Sequence, residues 1–180
     1  MDVQSGKRER NIEISDLDLY IVPETLEDAE NIYRYMGCDP EITRYTGWNP
    51  YRTLQATVDK IEKDINSDDG SYSWVIKKDG DFVGTIGAYD YNAEDMSIEI
   101  GYSIARPFWG KGYAGAATKA VVAFLLDNER INTIRAWSHK DNLASRKVLM
   151  NAGFEESGMN AEEVTFIRER YSQFVEMKNE

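Results

Sequence analysis

The 180 residues carry a formal net charge of -11 and an isoelectric point near 4.7, a balance that disfavours a phosphate backbone or an anionic membrane surface and suits a cationic partner or plain solubility. Cys38 and His139 are each the only residue of their kind, so one chain builds neither an intramolecular disulfide nor a zinc site of several Cys or His ligands. No stretch approaches the roughly 18 apolar residues that span a bilayer, and these features together predict a cytoplasmic protein with no nucleic acid, membrane or metal partner.

Residues 1 to 11 are polar and aperiodic and read as a flexible leader; residues 12 to 180, in a chain that is 42% apolar, read as a single domain. Leu17 to Val22 alternates as a strand does. Thr25 then caps a helix whose Leu26, Ala29, Ile32, Tyr33 and Met36 share a face, with Gly37 as its stop. A turn-rich stretch through Pro40, Gly47, Asn49 and Pro50 leads to a second helix carrying Val58, Ile61 and Ile65, ended by Ser67 to Gly70. A meander follows, Tyr72 to Lys78, Phe82 to Tyr89 and Met96 to Ile104, with Asp79-Gly80 as a hairpin signal. The pattern then changes to a helix over 112 to 127, a strand at Thr133 to Ser138 and a helix at Asn142 to Ala152. Strands at Phe154 to Met159 and Ile167 to Glu176 close the chain. The expected fold is α/β (α+β): a mixed, mostly antiparallel seven-stranded sheet with about four helices on both faces.

The run Arg106-Pro107-Phe108-Trp109-Gly110-Lys111-Gly112-Tyr113-Ala114-Gly115 follows a strand and opens a helix, so its glycines let backbone N–H groups converge at a helix N-terminus, an anion site. A P-loop requires Gly-Lys followed by Ser or Thr, and here Gly112 stands after Lys111. Gly110, Gly112 and Gly115 match the dinucleotide pattern G-x-G-x-x-G, which keeps an NAD(P)-binding reading as a minor alternative. Antiparallel strands before the loop and only one strand-helix unit after it are the wrong context for that reading.

Trp109 to Ala114 resembles the coenzyme A pyrophosphate loop of the GNAT acetyltransferases, Gln/Arg-x-x-Gly-x-Gly/Ala, with Gly112 and Ala114 at its fourth and sixth positions. Pro107-x-Trp-Gly-Lys-Gly-Tyr-Ala is similar to what the RimJ/RimL-like branch shows, a branch typified by ribosomal-protein N-terminal acetyltransferases. Ser97 to Tyr102 before the loop, Asn142-x-x-Ser145 and Gly153-Phe154 after it, and Val83 to Gly87 upstream extend the resemblance over most of the chain. Tyr20, where this branch often has Arg, and Gly115-Ala116-Ala117, in place of Thr-Glu-Ala, depart from it.

The resemblance implies an acetyl-CoA-dependent N-acetyltransferase that acetylates a primary amine directly. The backbone of Tyr102, Ser103 and Ile104 would hold the thioester and pantetheine arm, and Trp109, Gly110, Lys111, Gly112, Tyr113 and Ala114 the pyrophosphate. Asn142 contacts the coenzyme arm or caps its helix. Strand alternation places Glu99 on a face with Ser97, Gly101 and Ser103, and the resemblance makes it the general base. Many relatives use a Tyr seven residues after the Asn as acid toward sulfur; here that residue is Leu149, which has no proton to donate, and Ser145 is the candidate donor.

Cys38 reads as an ordinary buried or inert thiol and His139 as loop structure. Tyr45, Trp48 and Tyr51 either wall the acceptor site or pack in the core. The acceptor is expected to be a protein N-terminus, a polyamine or an aminoglycoside-like amine, selected by the first two helices and the loop around Asn160 to Thr165. Pairing into a homodimer is common in the family. The absent Tyr leaves a second reading open, a non-catalytic acetyl-CoA sensor or interaction module.

Overall fold

The computed structural model describes residues 11–45 and 53–170. Its eight strands form one sheet in the order β1-β2-β3-β4-β5-β6-β8-β7. They are β1 (Ile12–Ile14), β2 (Leu19–Pro23), β3 (Tyr72–Lys78), β4 (Asp81–Asn92), β5 (Ser97–Ile104), β6 (Thr133–His139), β7 (Glu155–Met159) and β8 (Glu163–Glu169). Every neighbouring pair is antiparallel except β5 and β6. The helices are α1 (Ala29–Ile32), α2 (Pro40–Thr43), α3 (Leu54–Asn66), α4 (Tyr113–Asp127) and α5 (Leu143–Asn151).

The mixed sheet is the one expected, with an added edge strand: β1 spans three residues, too few for an alternating pattern to show in the sequence. The last strand begins at Glu163 rather than Ile167, because pairing of His139 with Glu163 extends β8 backward along β6. The part of the expected strand beyond Arg170 lies outside the described residues.

Local chemistry explains the elements that frame the cleft. Asp79 and Gly80 both take positive φ, 52° and 86°, the geometry an Asp-Gly hairpin turn needs. Thr25 opens the first helical segment through a capping box, its N–H and hydroxyl both donating to Asp28 Oδ2 at 3.0 Å. That segment is not one regular helix: a 3-10 turn (Leu26–Asp28) precedes α1 and a π turn (Tyr33–Gly37) follows it. The change of pitch leaves Leu26 exposed while Ala29, Ile32 and Met36 stay buried. The one-turn α2, within the stretch expected to be turns, starts at Asp39, whose Oδ1 accepts the Glu41 N–H, with Pro40 at its first position.

Two cores cover the two faces of the sheet. The larger joins Ile98, Ile100 and Ile104 of β5 to Ala117, Val121 and Leu125 of α4 and Leu149 of α5. The smaller packs Val75 and Phe82 under Ile32, Met36, Ile42 and Ile61. Helices α4 and α5 thus lie on one face and α1 to α3 on the other. No described helix is long and apolar enough to cross a membrane.

Candidate active site

The sheet opens at one place. Strands β5 and β6 pair only over Ser97–Glu99 against Thr133–Arg135, whereas β4 stays paired with β5 as far as Ile104 and β6 stays paired with β8 as far as His139. Beyond Glu99 the two parallel strands diverge, leaving the β6-facing edge of residues 100–104 without a strand partner. The gap connects the two faces of the sheet within a cleft of about 1980 Å³. An extended ligand entering it meets main-chain donors and acceptors that still need partners.

The glycine loop borders that gap. Gly110 and Gly112 hold φ of 73° and 80°, a region side-chain-bearing residues rarely adopt, and nothing lies within 4 Å of where their Cβ atoms would project. Backbone conformation, not crowding, therefore calls for glycine here. Gly112 caps the 15-residue α4 without any side-chain hydrogen bond, so the first-turn N–H groups at Tyr113, Ala114 and Gly115 remain available for an anion. A pyrophosphate fits this chemistry: uncapped amides, a helix N-terminus and open space in front of them.

Trp109 is half-exposed, and its indole N–H donates to the Ile104 carbonyl at 2.6 Å, tying the loop to the end of β5. The indole thus braces the loop and its N–H is already engaged. Lys111 places its ammonium 5.1 Å from the Phe108 ring centroid, a cation–π contact at the surface.

Glu99 stands at the vertex, the last β5 residue paired with β6. Its side chain faces the α1–α3 side of the sheet, and Tyr89 is its partner across β4. Burial raises its carboxyl above the ordinary value and nearby Asp90 and Glu163 push the same way, while a hydrogen bond from Tyr89 and the Arg135 guanidinium act against them. Arg135 is held in turn by donation to Ser97 Oγ at 2.7 Å. Gly101 makes the Tyr89 contact possible, since a Cβ there would stand 2.8 Å from the phenol oxygen. Neither Tyr89 nor Gly101 is marked in the sequence: the register shifts between Tyr89 and Asn92, which defeats counting back across the hairpin.

Ser145 lies on the opposite side. Asn142 Oδ1 accepts the Ser145 N–H at 3.1 Å, so Asn142 caps α5, one of the two roles expected of it, and fixes the first turn. The Tyr102 phenol reaches this turn from β5, 3.0 Å from Ser145 Oγ and 3.2 Å from the Ser145 carbonyl. Tyr102, expected to contribute backbone, reaches this turn with its side chain. Leu149, one turn further on, is buried in the larger core, so its position faces apolar packing. Ser103 and Ile104 line the same cleft.

Of the other expected residues, Cys38 is exposed rather than buried; its thiol meets the Tyr33 phenol, whose pKa is raised chiefly by that hydrogen bond, and it does not line the cleft. His139 Nδ1 accepts the Asp141 N–H at 3.2 Å and its ring packs 5.2 Å from Tyr45, a loop-building role. Tyr45 lines the cleft; Trp48 and Tyr51 lie outside the described residues. The α1–α3 end of the cleft also presents Glu24, Lys60, Asp64, Asp90 and Glu163, with Lys60 bridging Asp64 at 2.7 Å and Glu24 at 3.4 Å.

Comparison with known proteins agrees with this architecture. The family model described as acetyltransferase (GNAT) domain matches residues 18–155. The uncharacterized N-acetyltransferase p20 of Bacillus licheniformis is 28% identical over 138 residues, covering 74% of this chain and 77% of the relative. RimL, the ribosomal L7/L12 alpha-N-protein acetyltransferase solved with coenzyme A, superposes with a TM-score of 0.81 at 14% identity, over 89% of this chain and 98% of that one. The spermidine N-acetyltransferase of Vibrio cholerae, solved with coenzyme A and spermine, gives 0.77 at 16% identity, over 85% and 96%. With a family model matching residues 18–155 and a fold shared with these structures, the chain belongs to the GNAT acetyltransferase family, in the RimJ/RimL-like branch, as an N-acetyltransferase.

Proposed function

We propose that the protein transfers an acetyl group from acetyl-coenzyme A directly to a primary amine through the gap between β5 and β6. The observation that carries this reading is that β5 and β6 part just beyond Glu99 and that Ser145, met by the Tyr102 side chain from β5, lines the cleft that opens there. Backbone around Tyr102, Ser103 and Ile104 accepts the pantetheine arm, and the amides from Gly110 to Ala114, with Lys111 nearby, bind the pyrophosphate. Asn142 supports this site by holding the first turn of α5.

In the proposed step the amine must lose a proton before it attacks. Glu99 takes that proton, directly or through water, and Ser145 supplies one to the departing sulfur. A carboxyl raised by burial is a stronger base than an ordinary one, and it acts only when ionised. Turnover therefore rises with pH as Glu99 loses its proton, at a pH above the usual carboxylate range. The carboxylates Asp90 and Glu163 near Glu99 favour a cationic acceptor, for which a peptide N-terminus, a polyamine and an aminoglycoside-like amine all qualify.

The test is thiol release from acetyl-coenzyme A in the presence of a panel of peptides, polyamines and aminoglycosides. Release with at least one amine, and mass increase of that amine by one acetyl group, is the expected result. Tight acetyl-coenzyme A binding with no release from any amine would replace this reading with the non-catalytic sensor.

A further inference from the structure

Leu149 of α5 is buried in the core and has no proton to donate. A phenol nevertheless reaches the same helix one turn earlier, from the sheet. Tyr102 extends from β5 and ends 3.0 Å from Ser145 Oγ and 3.2 Å from the Ser145 carbonyl oxygen. We propose that Tyr102 is a positioning and proton-relay residue for the acetyl-transfer step, holding Ser145 Oγ toward the coenzyme sulfur and replacing the proton that Ser145 gives up. The inference rests on the reading of Ser145 as donor to sulfur.

The geometry gives the pair two arrangements. The carbonyl oxygen can only accept, whereas both hydroxyls can donate and accept. In one arrangement the phenol donates to the carbonyl and accepts from Ser145 Oγ, which keeps the serine proton turned away from the cleft. In the other the phenol donates to Ser145 Oγ and the serine proton is turned outward. The two differ only by rotation of O–H bonds, so developing negative charge on sulfur can select the second. Sulfur would also lie near the N-terminus of the nine-residue α5, which favours negative charge there.

The step balances. The amine N–C bond forms as the thioester C–S bond breaks, with the bonding pair leaving on sulfur. The amine enters neutral, Glu99 having passed its ammonium proton on to water. One further N–H proton then passes through Glu99 to water, sulfur takes the Ser145 Oγ proton, Oγ takes the Tyr102 proton, and the proton released to water balances the one that restores the phenol. Burial holds the phenol pKa up at about 12, so at neutral pH Tyr102 starts the cycle protonated, and only hydrogen bonding to Ser145 opposes that rise. A phenol that merely locked α5 in place would make the same contacts without sensing sulfur, and the experiment separates the two roles.

The probes are coenzyme A and desulfo-coenzyme A, which differ at the sulfur, titrated calorimetrically between pH 7 and 10 into the wild-type chain, Tyr102→Phe, Ser145→Ala and the double variant. No acceptor is needed. A donor aimed at sulfur favours the thiolate, so wild-type affinity for coenzyme A gains about fivefold to tenfold over desulfo-coenzyme A as the thiol ionises. Tyr102→Phe is expected to remove most of that gain while leaving desulfo-coenzyme A binding and the melting temperature nearly unchanged. Ser145→Ala should remove it fully, and the double variant should match Ser145→Ala. A gain preserved in Tyr102→Phe but lost in Ser145→Ala would overturn the relay and leave Ser145 standing. A gain preserved in Ser145→Ala, or absent from the wild type, would overturn both assignments. Failure of either probe to bind the wild type would overturn the coenzyme reading itself, and the relay with it.

Discussion

The two ends of the cleft are built from different materials. The end proposed for the coenzyme is mostly main chain: the unpaired edge of residues 100–104, two glycines at positive φ and the uncapped first turn of α4. The end proposed for the acceptor is mostly side chain: Tyr89 and Asp90 of β4, Glu163 of β8 and the wall formed by α1 to α3 line it, and Glu99 adjoins Tyr89, Asp90 and Glu163. Main-chain recognition tolerates almost any side chain provided the backbone path is kept. Recognition by side chains can be rewritten one residue at a time, which suits a family whose relatives act on a ribosomal protein in one case and spermidine in another. On the proposed assignment, coenzyme use and acceptor choice are separable on this scaffold.

Substitutions at either end challenge that division, the largest effect first. Glu99→Gln is expected to lower turnover by roughly 100-fold or more while coenzyme A affinity, measured calorimetrically, stays within about twofold of wild type. Weakened coenzyme binding in this variant would show that the ends are not separable. Gly112→Val places a branched side chain at φ 80° and should reduce coenzyme A affinity by roughly tenfold to 100-fold, with a lowered melting temperature. Normal binding there would mean that the α4 N-terminus does not hold the pyrophosphate.

Gly101→Ala and Tyr89→Phe should act alike, because the first displaces the phenol that the second removes. The Tyr89 hydrogen bond favours ionised Glu99, so its loss raises that carboxyl further. The acid limb of the pH–rate profile then moves to higher pH, and turnover measured on that limb falls. Movement of the limb to lower pH would show that Tyr89 does not stabilise the carboxylate. The smallest effect belongs to Arg106→Ala. Arg106 donates through Nε and Nη2 to Asp39 Oδ2 at 2.9 and 2.8 Å and so ties α2, in the wall proposed for the acceptor, to the turn after β5. Its side chain is 56% exposed, so thermal unfolding should report a loss under about 1 kcal/mol. Acceptor KM should rise with coenzyme affinity unchanged.

The sequence makes the coenzyme end legible for a physical reason. Positive φ at Gly110 and Gly112 admits few residues other than glycine, so the backbone geometry leaves a spaced trace in the sequence, and Ala114 and Asn142 flank it at set distances. Glu99 was legible from strand alternation together with resemblance. The Tyr89–Glu99 and Tyr102–Ser145 pairs were not, since the first crosses an irregular hairpin and the second joins residues 43 positions apart. Tyr102 shows the difference within one residue: alternation places it with the isoleucines of β5, yet only its full length, seen against α5, puts a hydroxyl beside Ser145.

The elements follow the same rule. The hairpin at Asp79-Gly80 and the amphipathic face of α3 are local and are read correctly, whereas β1, the broken first helix and the start of β8 depend on neighbours distant in sequence. By itself the sequence determined the order of the long elements, the glycine loop and the presence of a carboxylate on β5, because each is set by local backbone sterics or by periodicity. The tertiary structure alone decided where β5 and β6 part, which phenol meets Ser145 and which carboxylates surround Glu99. Those features arise from strand register and from packing on two faces of one sheet, which no local pattern records.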